Sequence, residues 1–404
     1  MASTPTHPNA ATQSTAANSP GSLLVCLPLL PNGALDAILV NLAVAFPTQT
    51  VLVAAPTATP NGSAVATPDN IHFVPYTPTA TSTTNWVLTA ADYLNTYKVA
   101  EENRATACLL LGGESQSLAP EAIRGLATAV ADSNIDLATA YYNLGPREGL
   151  VNSAILYPVS RALFGARSRY PLAIDLGLSL RMAERLAAVA QKSISMGQHD
   201  ALLWPATEAV CANYTITEVE IGPRVLPQPA AADLNTLLAQ IGGSLFAEVD
   251  AKAAFWQRAR GTQSAHPFPL SGSFAENPDI APMLEAFHLA YTNLHEIWSL
   301  VLPPNSLLGL KRLSISPAES FNMPDSLWAR IVYDFMLAYR LRTINRGHLL
   351  GALTPLYLAW VASHLVLTGN GTQPEKHIQD LAAAFEADKP YLVSRWRWPD
   401  RFNP

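Results

Sequence analysis

Apolar runs alternate with helix-period segments over the first two thirds of the chain. Ser22 to Leu30 (SLLVCLPLL) is continuously apolar and ends in Pro31-Asn32-Gly33, which predicts a buried parallel strand and a turn. A helix is expected over Leu35–Phe46, a second strand over Thr50–Ala54 and a short third strand over Ile71–Pro75. Helical spacing follows at Asn85–Asn103, then a strand at Thr106–Leu111, a helix at Pro120–Ala131 and a strand at Asp136–Tyr142. Strands that alternate with helices predict an α/β sheet, mostly parallel and flanked by helices. From Leu150 the pattern gives a helix, a loop over Tyr170–Gly177, a helix to Ser193 and another near Pro205–Asn213. A strand over Ile216–Val225 and a helical stretch from Asp233 to Arg260 follow. A Gly/Ser/Pro-rich segment at 261–278 reads as a linker, and 279–404 reads as an all-helical C-terminal domain. Residues 1–20, rich in Ser, Thr, Ala and Pro, read as a disordered tail, which leaves 21–260 as the α/β domain. No repeat of 20–50 residues is evident.

Leu349–Leu367 is nineteen residues long and carries no Asp, Glu, Lys or Arg, which is enough to cross a bilayer. It also holds Thr354, Pro355, Ser363 and His364, and no flanking charge pattern sets a topology. A buried helix of the C-terminal domain is the expectation, because such helices are apolar all round.

Composition narrows the function. A length of 404 residues allows two or three domains with a sizeable core. The net charge of −6 and the absence of a Lys/Arg stripe argue against a nucleic-acid partner. The three cysteines, Cys26, Cys108 and Cys211, form neither a disulfide framework nor a CxxC site, which fits a cytoplasmic protein. GxSxG, HExxH, P-loop and strand-linked GxGxxG patterns are all missing.

The chemistry-bearing stretch is Cys108–Ile123, CLLLGGESQSLAPEAI, where a strand breaks into Gly112-Gly113-Glu114 before a helix. Ligands of open α/β sheets sit at such strand ends. Glu114 reads either as a metal ligand or as a solvated loop acid. Asp175, in Ala173-Ile174-Asp175-Leu176-Gly177, reads from its own surroundings as an N-cap for the run starting near Leu178. His199-Asp200 reads as a general-base pair or as a turn and cap.

The segment Asn152–Ser179, NSAILYPVSRALFGARSRYPLAIDLGLS, resembles GT-A glycosyltransferases of the glucosyl-3-phosphoglycerate synthase and mannosylglycerate synthase type. The likeness rests on Asn152, Tyr157, Pro158, Arg161, Ala162, Leu163, Gly165, Pro171, Asp175, Gly177 and Ser179. It implies a GT-A-like sheet, a nucleotide-diphosphate-sugar donor, a small hydroxylated acceptor and a homodimer. It also implies Mg²⁺ or Mn²⁺ held by a DxD-type motif and a histidine. In that alignment Gly112 and Glu114 stand at the two acids of the motif, Leu226 at the histidine and Leu202 at a further acid. No Asp follows the second strand at Ala55-Pro56-Thr57 to hold a base. An active enzyme would place Glu114 on the metal, Gly112 and Gly113 near the phosphates, Arg224 toward the diphosphate and Asp175 under the sugar. His199 or Asp200 would activate the acceptor. A lapsed homologue acting as a binding or scaffold protein is the alternative, since several polar positions are apolar together. A third reading is metal-independent transfer, with Arg161, Arg167, Arg169 and Arg224 replacing the cation.

Overall fold

The computed structural model describes residues 22–30, 33–56, 67–131, 134–145, 147–227, 233–259 and 279–399. The expected tail at 1–20 and linker at 261–278 lie outside them. Seven strands form one sheet in the order β3-β2-β1-β4-β6-β5-β7. They are β1 (Leu23–Cys26), β2 (Val51–Pro56), β3 (Ile71–Tyr76), β4 (Ala107–Leu111), β5 (Leu137–Tyr142), β6 (Asp175–Ser179) and β7 (Ile216–Gly222). All neighbours are parallel except β6, which runs antiparallel to both β4 and β5. The mostly parallel sheet is therefore as expected, and β1 and β4 are buried along their whole length, as their unbroken apolar runs require.

β6 corrects the sequence reading, which gave Tyr170–Gly177 as a loop. Its sequence DLGLS holds a glycine because a Cβ at Gly177 would lie 2.7 Å from the carbonyl of Leu126. The helix packed over the sheet comes so close there that only glycine fits. A strand of five residues with a central glycine carries too little pattern to announce itself.

The helices of the first part are α1 (Leu35–Ala45), α2 (Ala90–Glu102), α3 (Pro120–Ala131), α4 (Tyr157–Phe164), α5 (Leu180–Ser195), α6 (Pro205–Cys211), α7 (Leu234–Ala251) and α8 (Ala253–Trp256). α1 packs with α3, and α2 with α5, to cover the sheet. The helical stretch expected from Asp233 to Arg260 is two helices that meet at Lys252, and the strand expected to reach Val225 stops at Gly222, whose φ is +71°.

From residue 279 every long element is helical: α9 (Ala281–Asn293), α10 (His295–Val301), α11 (Pro304–Leu313), α12 (Asp325–Leu341), α13 (Arg346–Gly369) and α14 (Pro374–Arg397). α13 contains the long apolar run, and it is the one helix among the described residues long and apolar enough to cross a membrane. It packs on α7, α9 and α12, with Leu353, Leu356 and Trp360 fully buried, as expected of a core helix. Trp204, Trp256 and Trp328 are likewise in the core. The helical part is fastened to the sheet part through α4 and α14. Arg161 meets Glu386 with two parallel bonds of 3.0 Å, and the Trp328 indole donates to the Ala154 carbonyl at 2.9 Å.

Candidate functional site

Three parallel strands, β1, β2 and β3, end beside the loop that follows β4, and a cleft of about 560 Å³ opens there. Glu114, Asp92, Asn95, Asn85, Tyr76 and the Thr81–Thr84 segment line it, together with several prolines and leucines. Among the described residues, two carboxylates and no Lys, Arg or His face this space. The loop Gly112–Ser117 forms its floor through a tight backbone turn. Glu114 adopts a left-handed conformation, φ +58° and ψ 24°, and begins a single 3-10 turn over Ser115–Ser117. One carboxylate oxygen of Glu114 accepts from the Gln116 amide at 2.7 Å. Glu114 is half-buried, and its other oxygen has no partner among the described residues.

Beneath the loop lies an ion pair that closes off two of the expected ligand-facing groups. Arg224 and Asp175 meet at 2.9 Å with both side chains 0 % exposed. The remaining Arg224 donors go to the carbonyls of Gly113, Glu114 and Val225, each at 2.6 Å, and to the Ser117 hydroxyl at 3.0 Å. Arg224 thus points into the loop from below and staples it; the expectation that it faces a diphosphate is not met in this arrangement. Asp175 opens β6 opposite Leu111, accepts from the Gly112 amide at 3.2 Å and from the Tyr142 hydroxyl at 3.3 Å, and has no face left for a sugar. Nor does it cap the next helix: Ser179 does, accepting from the Met182 amide. Tyr142, unremarked in the sequence, completes the buried cluster by accepting from the backbone amides of Ile174 and Asp175.

Gly112 and Gly113 differ in what surrounds them. Gly113 lines the cleft, whereas a Cβ on Gly112 would sit 2.9 Å from both the Cβ and the carbonyl of Ile174. The first acid of a DxD pair therefore has no room here.

His199 and Asp200 do not join this cleft. They line a neighbouring groove of about 900 Å³ with Leu202, Trp204 and Glu248, and only Thr81 and Thr83 border both. Asp200 holds Ser82 at 2.7 Å, and the Thr83 amide and hydroxyl at 2.7 and 2.6 Å. Burial alone would raise its pKa, but these hydrogen bonds together outweigh burial and hold it below the usual carboxylate value. It is neither a free base nor the cap of α6, whose N-cap residue is Trp204. The His199 Nδ1 is buried without a partner.

Asp92 and Asn95 are the residues the sequence reading missed. Their signal was polar side chains at Asp92, Asn95 and Thr96, an i, i+3, i+4 set on the buried face of α2. Asp92 forms a capping box with Thr89, and burial pushes its pKa up to about 6 despite those hydrogen bonds. Burial likewise raises Glu218, Glu248 and Asp334 to about 7. A carboxyl raised on folding favours the folded state while protonated, and this stabilisation fades as pH rises through the folded pKa. Thermal unfolding should therefore show the melting temperature climbing from pH 8 to pH 5.5. A flat or falling profile would show that these four groups are not held as described. Replacing Asp92 with Asn should lower the slope only below a pH of about 6 and leave the share of the other three carboxyls in place.

No group of three or more His, Cys, Asp or Glu able to hold a metal exists among the described residues. The donor set does fit a divalent ion that arrives with a diphosphate, since Mg²⁺ commonly takes one or two carboxylates plus phosphate oxygens. Glu114, with one free oxygen, and Asp92 are the two carboxylates facing the cleft.

No family model matches the chain, and no curated protein sequence matches it. Among solved structures it is similar to glucosyl-3-phosphoglycerate synthase from Mycobacterium tuberculosis in complex with phosphoglyceric acid, at 12 % identity over 57 % of this chain and 79 % of that one, with a TM-score of 0.36. The same enzyme in complex with Mn²⁺, uridine-diphosphate-glucose and phosphoglyceric acid overlaps at 13 % identity, over 57 % of this chain and 79 % of that one, with a TM-score of 0.35. A mycobacterial protein of no stated activity overlaps at 13 % identity, over 58 % of this chain and 76 % of that one, with a TM-score of 0.38. Superpositions this loose say nothing about which residues act.

Proposed function

We propose that this chain is a GT-A-type glycosyltransferase that holds a nucleoside-diphosphate sugar in the strand-end cleft and transfers the sugar to a small hydroxylated acceptor. The observation that carries the reading is the cleft itself, polar, about 560 Å³, and set at the ends of β1, β2 and β3 above a glycine-rich loop. The resemblance over Asn152–Ser179 supports the same reading. With two acids and no base among the described residues of its lining, the cleft repels a bare diphosphate. Arginines do not replace the cation in this reading, because Arg161, Arg169 and Arg224 are tied to Glu386, Glu375 and Asp175, and Arg167 lines a different groove. A divalent ion held by Glu114 would offset that charge and polarise the phosphoryl oxygens. Asn95 and Asp92 shape the wall against which the base would lie.

Calorimetric titration of UDP and GDP with Mn²⁺ and with EDTA tests this. Binding should require the ion, and Glu114→Gln should weaken it about tenfold, the loss of one charge-assisted contact. Binding that ignores EDTA would remove Glu114 from its role.

A second reading, a catalytically lapsed homologue that binds a partner, is favoured by one observation: Asp175 and Arg224 are spent on each other. Absence of nucleotide binding with and without Mn²⁺ would select it. A homodimer through the helical part belongs to the same proposal, since Leu289, Leu300 and Leu308 of α9–α11 lie exposed; sedimentation would decide it. A cytoplasmic location is proposed on the three free cysteines.

A further inference from the structure

Pro227 separates the strand-end cleft from a second cavity of about 340 Å³. Its walls are apolar: Trp86 and Val87 from the segment before α2, Leu150, Ile174, Leu226 and Leu237 among them. Leu226 stands where the resemblance would place a metal-binding histidine. The polar groups nearby are occupied. The Tyr142 hydroxyl serves the Ile174–Asp175 turn, the Asn152 amide donates to the Arg169 carbonyl at 2.8 Å, and the Tyr170 hydroxyl donates to the Tyr142 carbonyl at 3.1 Å.

Tyr357 of α13 is the exception. It lines this cavity, is only 5 % exposed, and its hydroxyl has no hydrogen-bond partner among the described residues. Burial is the one influence on its phenol, which it pushes upward. The hydroxyl is open to the cavity, where a ligand atom can bond to it in place of solvent. The single basic residue at the cavity among the described residues, Arg147, is exposed. A phosphorylated acid would have to shed its water against leucine and tryptophan with little in return.

We infer that this cavity binds a compact apolar molecule, an aromatic or branched aliphatic alcohol, with one hydrogen-bonding group met by Tyr357. The volume lies at the small end of ligand pockets, which sets the size at roughly one ring with a short chain. That such a molecule is the sugar acceptor rests on the transfer reading above; that it binds does not.

The test uses the full chain, cinnamyl alcohol as probe and 3-phosphoglycerate as contrast, followed by saturation-transfer NMR and calorimetry. Cinnamyl alcohol should bind and phosphoglycerate should not displace it. Leu237→Trp, at a half-buried position on the wall, should weaken the alcohol at least about tenfold by filling the space. Tyr357→Phe should weaken it about three- to tenfold while leaving β-methylstyrene, which lacks the oxygen, less affected. Alcohol binding untouched by Leu237→Trp, or tighter binding of phosphoglycerate, would overturn the inference. UDP with Mn²⁺ is titrated into the same proteins. Alcohol binding without any nucleotide binding supports the cavity and sinks the transfer reading, so the two fail separately.

Discussion

Gly112→Asp, the change that would rebuild a DxD motif, is expected to cripple the fold rather than create a metal site. The sequence alone suggests that restoring this acid should raise metal affinity. The structure reverses that expectation, because a Cβ at Gly112 would lie 2.9 Å from the Ile174 Cβ and 2.9 Å from its carbonyl. The second of these is backbone and cannot swing aside. Overpacking of this kind costs about 1–3 kcal/mol. The new carboxylate would also be buried beside Asp175, which already accepts from the Gly112 amide. A second buried negative charge without a partner brings the total to about 4 kcal/mol or more. Urea unfolding of Gly112→Ala and Gly112→Asp separates the two contributions: alanine should show the steric part, aspartate both. Trimming Ile174 to Gly should not rescue either, since the carbonyl remains. Wild-type stability together with tighter Mn²⁺ binding in Gly112→Asp would show that the loop sits differently.

Arg224→Met should cost about as much, by a different route. Methionine keeps most of the volume but leaves the Asp175 carboxylate buried and unpaired, a loss of about 3–5 kcal/mol. The carbonyls of Gly113, Glu114 and Val225 lose their donor at the same time. Asp175→Asn should also destabilise, and the double variant should lose clearly less than the two singles added, because neither charge is then stranded. Additive losses would mean that the pair does not act as a unit. The nucleotide titration adds a second readout. If Arg224 only supports the loop, its loss weakens binding in step with stability. A protein folded as well as wild type but unable to bind would return Arg224 to the cleft.

The inner strands β1, β2, β4 and β5 were legible because they are buried on both sides and read as apolar runs, the half-buried edge strands β3 and β7 from shorter, mixed patterns, and α13 was legible as a core helix from its polar interruptions. β6 was not, because its central glycine answers to a helix carbonyl that no local pattern records. At the candidate site the sequence singled out the Gly112–Glu114 loop but did not show which way the side chains around it face. Arg224, Asp175 and Glu114 look equally available as letters, yet a buried arginine with three carbonyl partners is a structural clamp. Asp92 went unremarked because a capping residue and a cleft residue share one signature.

The second cavity takes Trp86 and Leu150 from the sheet part, Leu237 from α7 and Tyr357 from α13. Among the described residues, the strand-end cleft takes nothing from beyond residue 227. Whatever each space holds, their selectivities can drift independently. Substitutions along α13 would retune the apolar ligand without disturbing the nucleotide end, so a lineage could change its second substrate by altering a helix far from the sheet.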